Sequence, residues 1–159
     1  DSHSFCLNEL RISSTAIREA LAKDDLALAE KLLGRPYRIL GRVIHGNELG
    51  RTIGFPTANI RLHRQVNPVK GVYAVKVRLK SGAFFNGVAN IGTRPTINGM
   101  NQLLEAHLFD FQGDLYGQWL EVELCHKIRN EMKFPSFEDL KKQIAQDVET
   151  AKTFLEGAE

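Results

Sequence analysis

The sequence predicts a mainly-β fold, an antiparallel barrel or sandwich with one C-terminal helix packed against it. Two observations carry this. Between residues 37 and 128, six short runs rich in β-branched and aromatic residues are separated by Gly, Pro, Asn and Asp clusters, with no helical period between them. Beyond residue 135 the spacing of apolar residues changes to three and four, the period of a helix.

The elements follow in order. A helical stretch reaching Leu33 opens behind Ser13 or Ser14, either of which can cap it, and Ile17, Leu21, Leu28 and Leu32 are spaced to share one face. Gly34-Arg35-Pro36 ends it, since glycine terminates helices readily and proline cannot continue one. Strands are expected over residues 37–44, 57–62, 72–79, 84–90, 103–111 and 119–128. Asn67-Pro68, Lys80-Ser81-Gly82, Asn98-Gly99 and Gln112-Gly113-Asp114 supply turns between them. In the last segment Ser136 and Asp139 form a capping pair, and Phe137, Leu140, Ile144, Val148, Ala151 and Leu155 mark an amphipathic helix. The single Trp119 is expected in the core or at the barrel edge.

Composition narrows the class of function. A chain of 159 residues with 43% hydrophobic and 25% charged content has the make-up of one globular domain with a core. Its 21 basic and 19 acidic residues are spread without a basic run, so nucleic acid is not an expected partner. Cys6 and Cys125 have no metal-site spacing and no disulfide-rich context, which points to a reducing compartment. No apolar run approaches the ~20 residues of a membrane span, and no signal peptide opens the chain. A cytoplasmic location without a membrane partner is the expectation. The opening Asp1-Ser2-His3, with no initiator methionine, suggests a fragment or a processed chain.

Chemistry concentrates between Gly46 and Asn59. Gly46, Gly50 and Gly54 are spaced so that backbone N–H groups can converge on an anion, with Arg51 among them to hold a phosphate or to make a surface ion pair. A Walker A loop is excluded: three residues, not four, separate Gly46 from Gly50, arginine replaces the lysine, and Ile53-Gly54-Phe55-Pro56 is a poor helix start. Glycine spacing alone leaves a phosphate cradle and a ligand-free hairpin loop both open. Behind it, Thr57 and Asn59 lie two apart and would face one spot on an extended chain, offering neutral oxygens to a cation such as magnesium. Glu105 would share a strand face with Leu103, His107 and Phe109, which suits either a rim carboxylate or a base at a cleft.

These motifs resemble the signature of riboflavin kinases. Gly41 to Gly46, Gly50 to Asn59, Gly71-Val72-Tyr73-Ala74, Gly87 to Thr96, Leu104 to Leu108 and Lys127 to Phe134 follow in register. From Gly34 onward the chain is similar to the C-terminal kinase module of bacterial bifunctional riboflavin kinase/FMN adenylyltransferases, also called FAD synthetases. That likeness implies a six-stranded Greek-key barrel with a terminal helix over residues 35–159, preceded by a helical remnant over residues 1–34. It implies transfer of the ATP γ-phosphoryl group to the 5′-hydroxyl of riboflavin, giving FMN and ADP, with Mg2+ as the cation.

In the same terms, Glu105 is the general base, and Thr57 and Asn59 hold the metal. Gly46, Gly50, Arg51, Gly54, Thr57, Asn59 and Asn90 bind nucleotide and phosphate; Arg94, Arg129, Glu131 and Phe134 lie at the flavin. Asn130 stands where many relatives have proline. Ile12-Ser13-Ser14-Thr15, followed by Arg18, resembles one phosphate-binding motif of the nucleotidyltransferase module that a full-length enzyme would carry at its N-terminus. The matching His-x-Gly-His sequence is missing from this chain, so adenylyl transfer to FMN is not expected.

Overall fold

A computed structural model describes residues 15–44, 57–62, 69–96 and 99–157. Six strands form a closed barrel: β1 (Arg38–Ile44), β2 (Thr57–Leu62), β3 (Gly71–Leu79), β4 (Phe84–Thr96), β5 (Gly99–Leu108) and β6 (Trp119–Arg129). Their order around the wall is β1-β2-β5-β4-β3-β6, and every neighbouring pair is antiparallel. β3, β4 and β5 follow one another as adjacent strands, and β6 returns to lie beside β3, which is a Greek-key arrangement. The strand expectations hold, with β4 and β5 meeting closer to their turn than the apolar runs alone indicated.

Alternation sorts the side chains between two cores. Ala58, Ile60, Tyr73, Val75, Val77, Ala89, Ile91, Leu104, Ala106, Leu120 and Val122 fill the barrel interior. Outside the wall, Val72, Ala74, Val88 and Phe109 pack against Ile144, Val148, Ala151 and Leu155 of the C-terminal helix, α3 (Phe137–Gly157). Ser136 caps that helix by accepting from the Asp139 N–H at 3.2 Å, as its sequence predicts.

Two register shifts in the β3–β6 pairing increase what β6 gives to α3. Between Ala74 and Val75 the partner jumps from His126 to Leu124, and between Val72 and Tyr73 from Arg129 to Lys127. The extra residue in each case puts two consecutive side chains on the outer face. Cys125 packs in the outer core beside His126, whose ring stacks on Phe154 of α3 at 4.3 Å; Ile128 packs there beside Arg129, which bonds to α3. Gly71 sits at the second shift with φ +120, and a Cβ there would lie 2.6 Å from the Arg129 carbonyl oxygen, so only glycine fits.

The N-terminal region departs from the single helix expected to run to Leu33. It forms α1 (residues 15–22) and α2 (Leu26–Leu33), broken where Asp24 takes φ 64 and Asp25 restarts the chain by accepting from the Leu28 N–H. The break re-phases the faces: Ala20, Leu21 and Ala29 are buried in the barrel's own core, whereas Leu28 and Leu32 are exposed. Gly34, at φ 79, closes α2 as expected. Trp119 is 54% exposed on β6, a surface position.

Candidate functional site

Register assembles the site. Asn59 on β2 pairs with Glu105 on β5, Glu105 pairs with Asn90 on β4, Asn90 with Val72 on β3, and Val72 with Arg129 on β6. Residues directly opposite in a sheet point to the same side. These five therefore form one row across five strands on the outer face. At a strand spacing of about 4.8 Å, Glu105 and Arg129 stand roughly 14 Å apart along it. The next row holds Thr57, His107, Val88 and Ala74. α3 covers Val88 and Ala74, so the Asn59–Glu105–Asn90 segment lies beside the helix.

The sequence-derived metal and base residues thus converge. Thr57, Asn59 and Glu105 sit on one face of the adjoining β2 and β5, with Asn90 alongside. Asn59 is buried, Glu105 and Asn90 half-buried. The Asn90 amide oxygen is fully buried, with no hydrogen-bond partner among the described residues. Such an acceptor costs about 1–3 kcal/mol unless a donor from outside the described residues, a water or a ligand hydroxyl, meets it.

The donor set suits a hard cation. Thr57, Asn59, Asn90 and Glu105 offer oxygens, the ligand type magnesium prefers. Among the described residues no cluster of three or more His, Cys, Asp or Glu side chains is arranged to hold a metal. A divalent ion held by Thr57 and Asn59 would complete its shell with phosphate oxygens and water.

His107 supports this patch without sharing its chemistry. Its Nδ1 lies 3.0 Å from the Thr57 hydroxyl oxygen, and the ring is 7% exposed. Burial pushes its pKa down to about 4, against a smaller upward pull from Asp147. It is a neutral ring at neutral pH, and its lowered pKa makes it a weak proton acceptor.

The far end of the row is built around Arg129. Its Nε donates to both Asp147 carboxylate oxygens, at 3.0 and 3.1 Å, and Nη2 donates to Oδ2 at 2.8 Å. Nη1 donates to the Asn130 carbonyl at 3.0 Å, and the Phe134 ring lies 5.8 Å from the guanidinium carbon. Gln143 donates to Asp147 Oδ1 at 3.1 Å. Asp147 is 2% exposed. Glu131 lies on Gly92, where a Cβ would run into its carboxylate. Beneath it, a pocket of about 350 Å³ is lined by Asp24, Lys70, Thr93, Lys127 and Asn130, with Lys127 paired to Asp24.

Asp147 was not singled out from sequence. A signal existed: it is a carboxylate set between Ile144 and Val148, inside the apolar stripe of α3. Gly46, Gly50, Arg51 and Gly54 lie outside the described residues, in the connection from Ile44 to Thr57. Arg94 falls on β4 opposite Asn101, and its side chain is outside the described set.

Comparison with known proteins gives the class that the resemblance of the sequence implies. The riboflavin kinase family model matches residues 33–155. The bifunctional riboflavin kinase/FMN adenylyltransferase of Haemophilus influenzae is 79% identical over 155 residues, 98% of this chain and 50% of that protein. A solved riboflavin kinase from Trypanosoma brucei superposes with a TM-score of 0.54 at 26% identity, covering 76% of this chain and 80% of that one. A second structure, described as a macrolide-efflux protein from Streptococcus pneumoniae, matches at TM-score 0.78 and 38% identity over 87% of this chain but only 46% of its own. Among the described residues no helix is long and apolar enough to cross a membrane. The chain belongs to the riboflavin kinase family. It spans about half the length of the curated relatives it matches.

Proposed function

We propose that this chain is a riboflavin kinase module, transferring the γ-phosphoryl group of ATP to the 5′-hydroxyl of riboflavin and releasing FMN and ADP. The observation that carries the reading is the Asn59–Glu105–Asn90 row, a carboxylate between two amides, one of them with a buried acceptor awaiting a donor. Family membership supplies the substrates.

Glu105 accepts the proton of the 5′-hydroxyl as the new O–P bond forms and the bond from the γ-phosphorus to the bridging oxygen breaks. Asn90, expected among the nucleotide-binding residues, is reassigned here to the ribityl chain: its buried amide oxygen takes a donor, which a hydroxyl is and a phosphate oxygen is not, and so orients the chain beside the base. Thr57, backed by His107, and Asn59 hold Mg2+, which when bound neutralises charge on the phosphates. Gly46, Gly50, Arg51 and Gly54 cradle those phosphates. The isoalloxazine ring runs along the row toward Arg129, Glu131 and Phe134, with Arg94 contributing from β4.

Residues 35–159 form the kinase domain, and residues 1–34 continue from the nucleotidyltransferase module of a longer, bacterial, cytoplasmic enzyme. Incubating the 159-residue chain with riboflavin, ATP and Mg2+ and separating the products by chromatography tests the reading. FMN and ADP, without FAD or pyrophosphate, are expected. Bound riboflavin without FMN would make the barrel a flavin-binding module instead, and FAD would overturn the single activity.

A further inference from the structure

The segment from Asn130 to Phe134 joins the end of β6 to α3, and both of its ends converge on one guanidinium. Nη1 of Arg129 donates to the Asn130 carbonyl, and the Phe134 ring lies beneath the guanidinium carbon. The guanidinium is itself fixed from the other side. Three of its contacts go to Asp147, a carboxylate 2% exposed on α3, which also accepts from Gln143 one helical turn away. The register shift before Arg129 is what turns its side chain toward α3.

We propose that Asp147 is the positioning residue for the ring-binding end of the site. Through Arg129 it staples both ends of residues 130–134 and so fixes where Glu131 and Phe134 meet the flavin. The inference rests on the riboflavin kinase reading above. On this account Arg129 serves the flavin by shaping the segment, with three of its N–H directions committed to Asp147 and Asn130.

The chemistry makes Asp147 the controlling member. Asp147 is a buried carboxylate that needs a paired cation, and the half-buried forked guanidinium of Arg129 can bind it on one edge and a carbonyl on another only when it is held in one orientation. Remove the carboxylate and the guanidinium turns to water, releasing the Asn130 carbonyl and the Phe134 ring together. Lysine at 129 would keep the charge opposite Asp147 but has no rigid fork with which to hold Asn130 as well.

Two variants of the full chain, Asp147→Asn and Arg129→Lys, test this with two readouts. Amide hydrogen exchange over residues 130–134 is followed without ligand, and riboflavin affinity is followed by quenching of flavin fluorescence. In both variants exchange in that segment should accelerate at least about tenfold while barrel strands stay protected. Riboflavin should bind about 10–100-fold more weakly, with nucleotide affinity unchanged, the order typical of losing an outer-shell partner. If Asp147→Asn does not fold, Arg129→Lys decides, since it leaves no buried carboxylate unpaired. Unchanged exchange in a folded variant overturns the staple; faster exchange with unchanged riboflavin affinity overturns its role in binding. Failure of the wild-type chain to bind riboflavin would refute the functional reading itself and this role with it.

Discussion

Asn90 and Glu105 stand directly opposite each other across β4 and β5, and the Asn90 amide oxygen is buried there without a donor among the described residues. An apolar replacement of Asn90 removes an unmet polar group, so Asn90→Ala should be at least as stable as the parent chain in urea unfolding. It should also bind riboflavin more weakly, because in the proposed function the lost acceptor meets a ribityl hydroxyl. A destabilised variant with unaltered riboflavin affinity would show that the oxygen serves the fold alone.

Glu105 carries the proton transfer in this reading. General bases typically contribute ~10²–10⁴-fold in rate, so Glu105→Gln should lose about that much turnover with far smaller changes in substrate affinity. The isosteric amide keeps the shape of the row. Near-normal turnover from a folded Glu105→Gln chain would remove Glu105 from the chemistry.

Thr57 and Asn59 lead to a binding measurement that needs no catalysis. Losing one polar contact to a charged group costs about 1.5–3 kcal/mol, hence about tenfold or more in affinity. Thr57→Ala and Asn59→Ala should each weaken Mg2+-dependent ADP binding by that order in calorimetry, while metal-free ADP binding changes little. Equal losses with and without the metal would move both residues away from the cation.

His107 gives the fold a defined pH dependence. Its folded-state pKa, about 4, lies below the ordinary value of 6.5, so the unfolded chain takes up the proton first. The stability of the neutral ring is fully present above pH 6.5 and is lost as pH falls toward 4. At about 1.4 kcal/mol per unit this comes to about 3 kcal/mol. His107→Gln should flatten the stability curve across that window, as read by thermal unfolding at several pH values. Parallel curves for the two proteins would place the acid sensitivity elsewhere.

Gly87 tests the packing of β4 on β5. A Cβ at this position would lie 2.5 Å from the carbonyl oxygen of His107, a backbone atom that has no rotamer to change. Gly87→Ala should cost about 1–3 kcal/mol in denaturant unfolding. A neutral substitution would mean that β5 can withdraw from β4 without loss.

Strand periods and turn clusters made the barrel legible, because each wall residue faces either the interior or the outside and its polarity records which. The row from Asn59 to Arg129 was legible only in pieces. Its members are spread over 71 positions of sequence and are neighbours solely through register, which periodicity does not state. Both irregularities of β6 were also silent, since an extra residue in a strand leaves the apolar run looking continuous. The break between α1 and α2 was hidden for a different reason: Asp24-Asp25 reads equally well as a polar step on one helix face.

The burial of Ala20, Leu21 and Ala29 in the barrel's own core bears on how this architecture divides. A closed wall leaves only its two mouths open, so helices that touch the interior must enter through one of them and act as a cork. The stretch matched by the family begins at residue 33, the last residue of α2, and so leaves out Ala20, Leu21 and Ala29. The unit recognised from kinship and the unit that keeps water out of the barrel therefore do not coincide, and the Asp24–Lys127 pair ties the cork to the rim beside the segment that Arg129 holds.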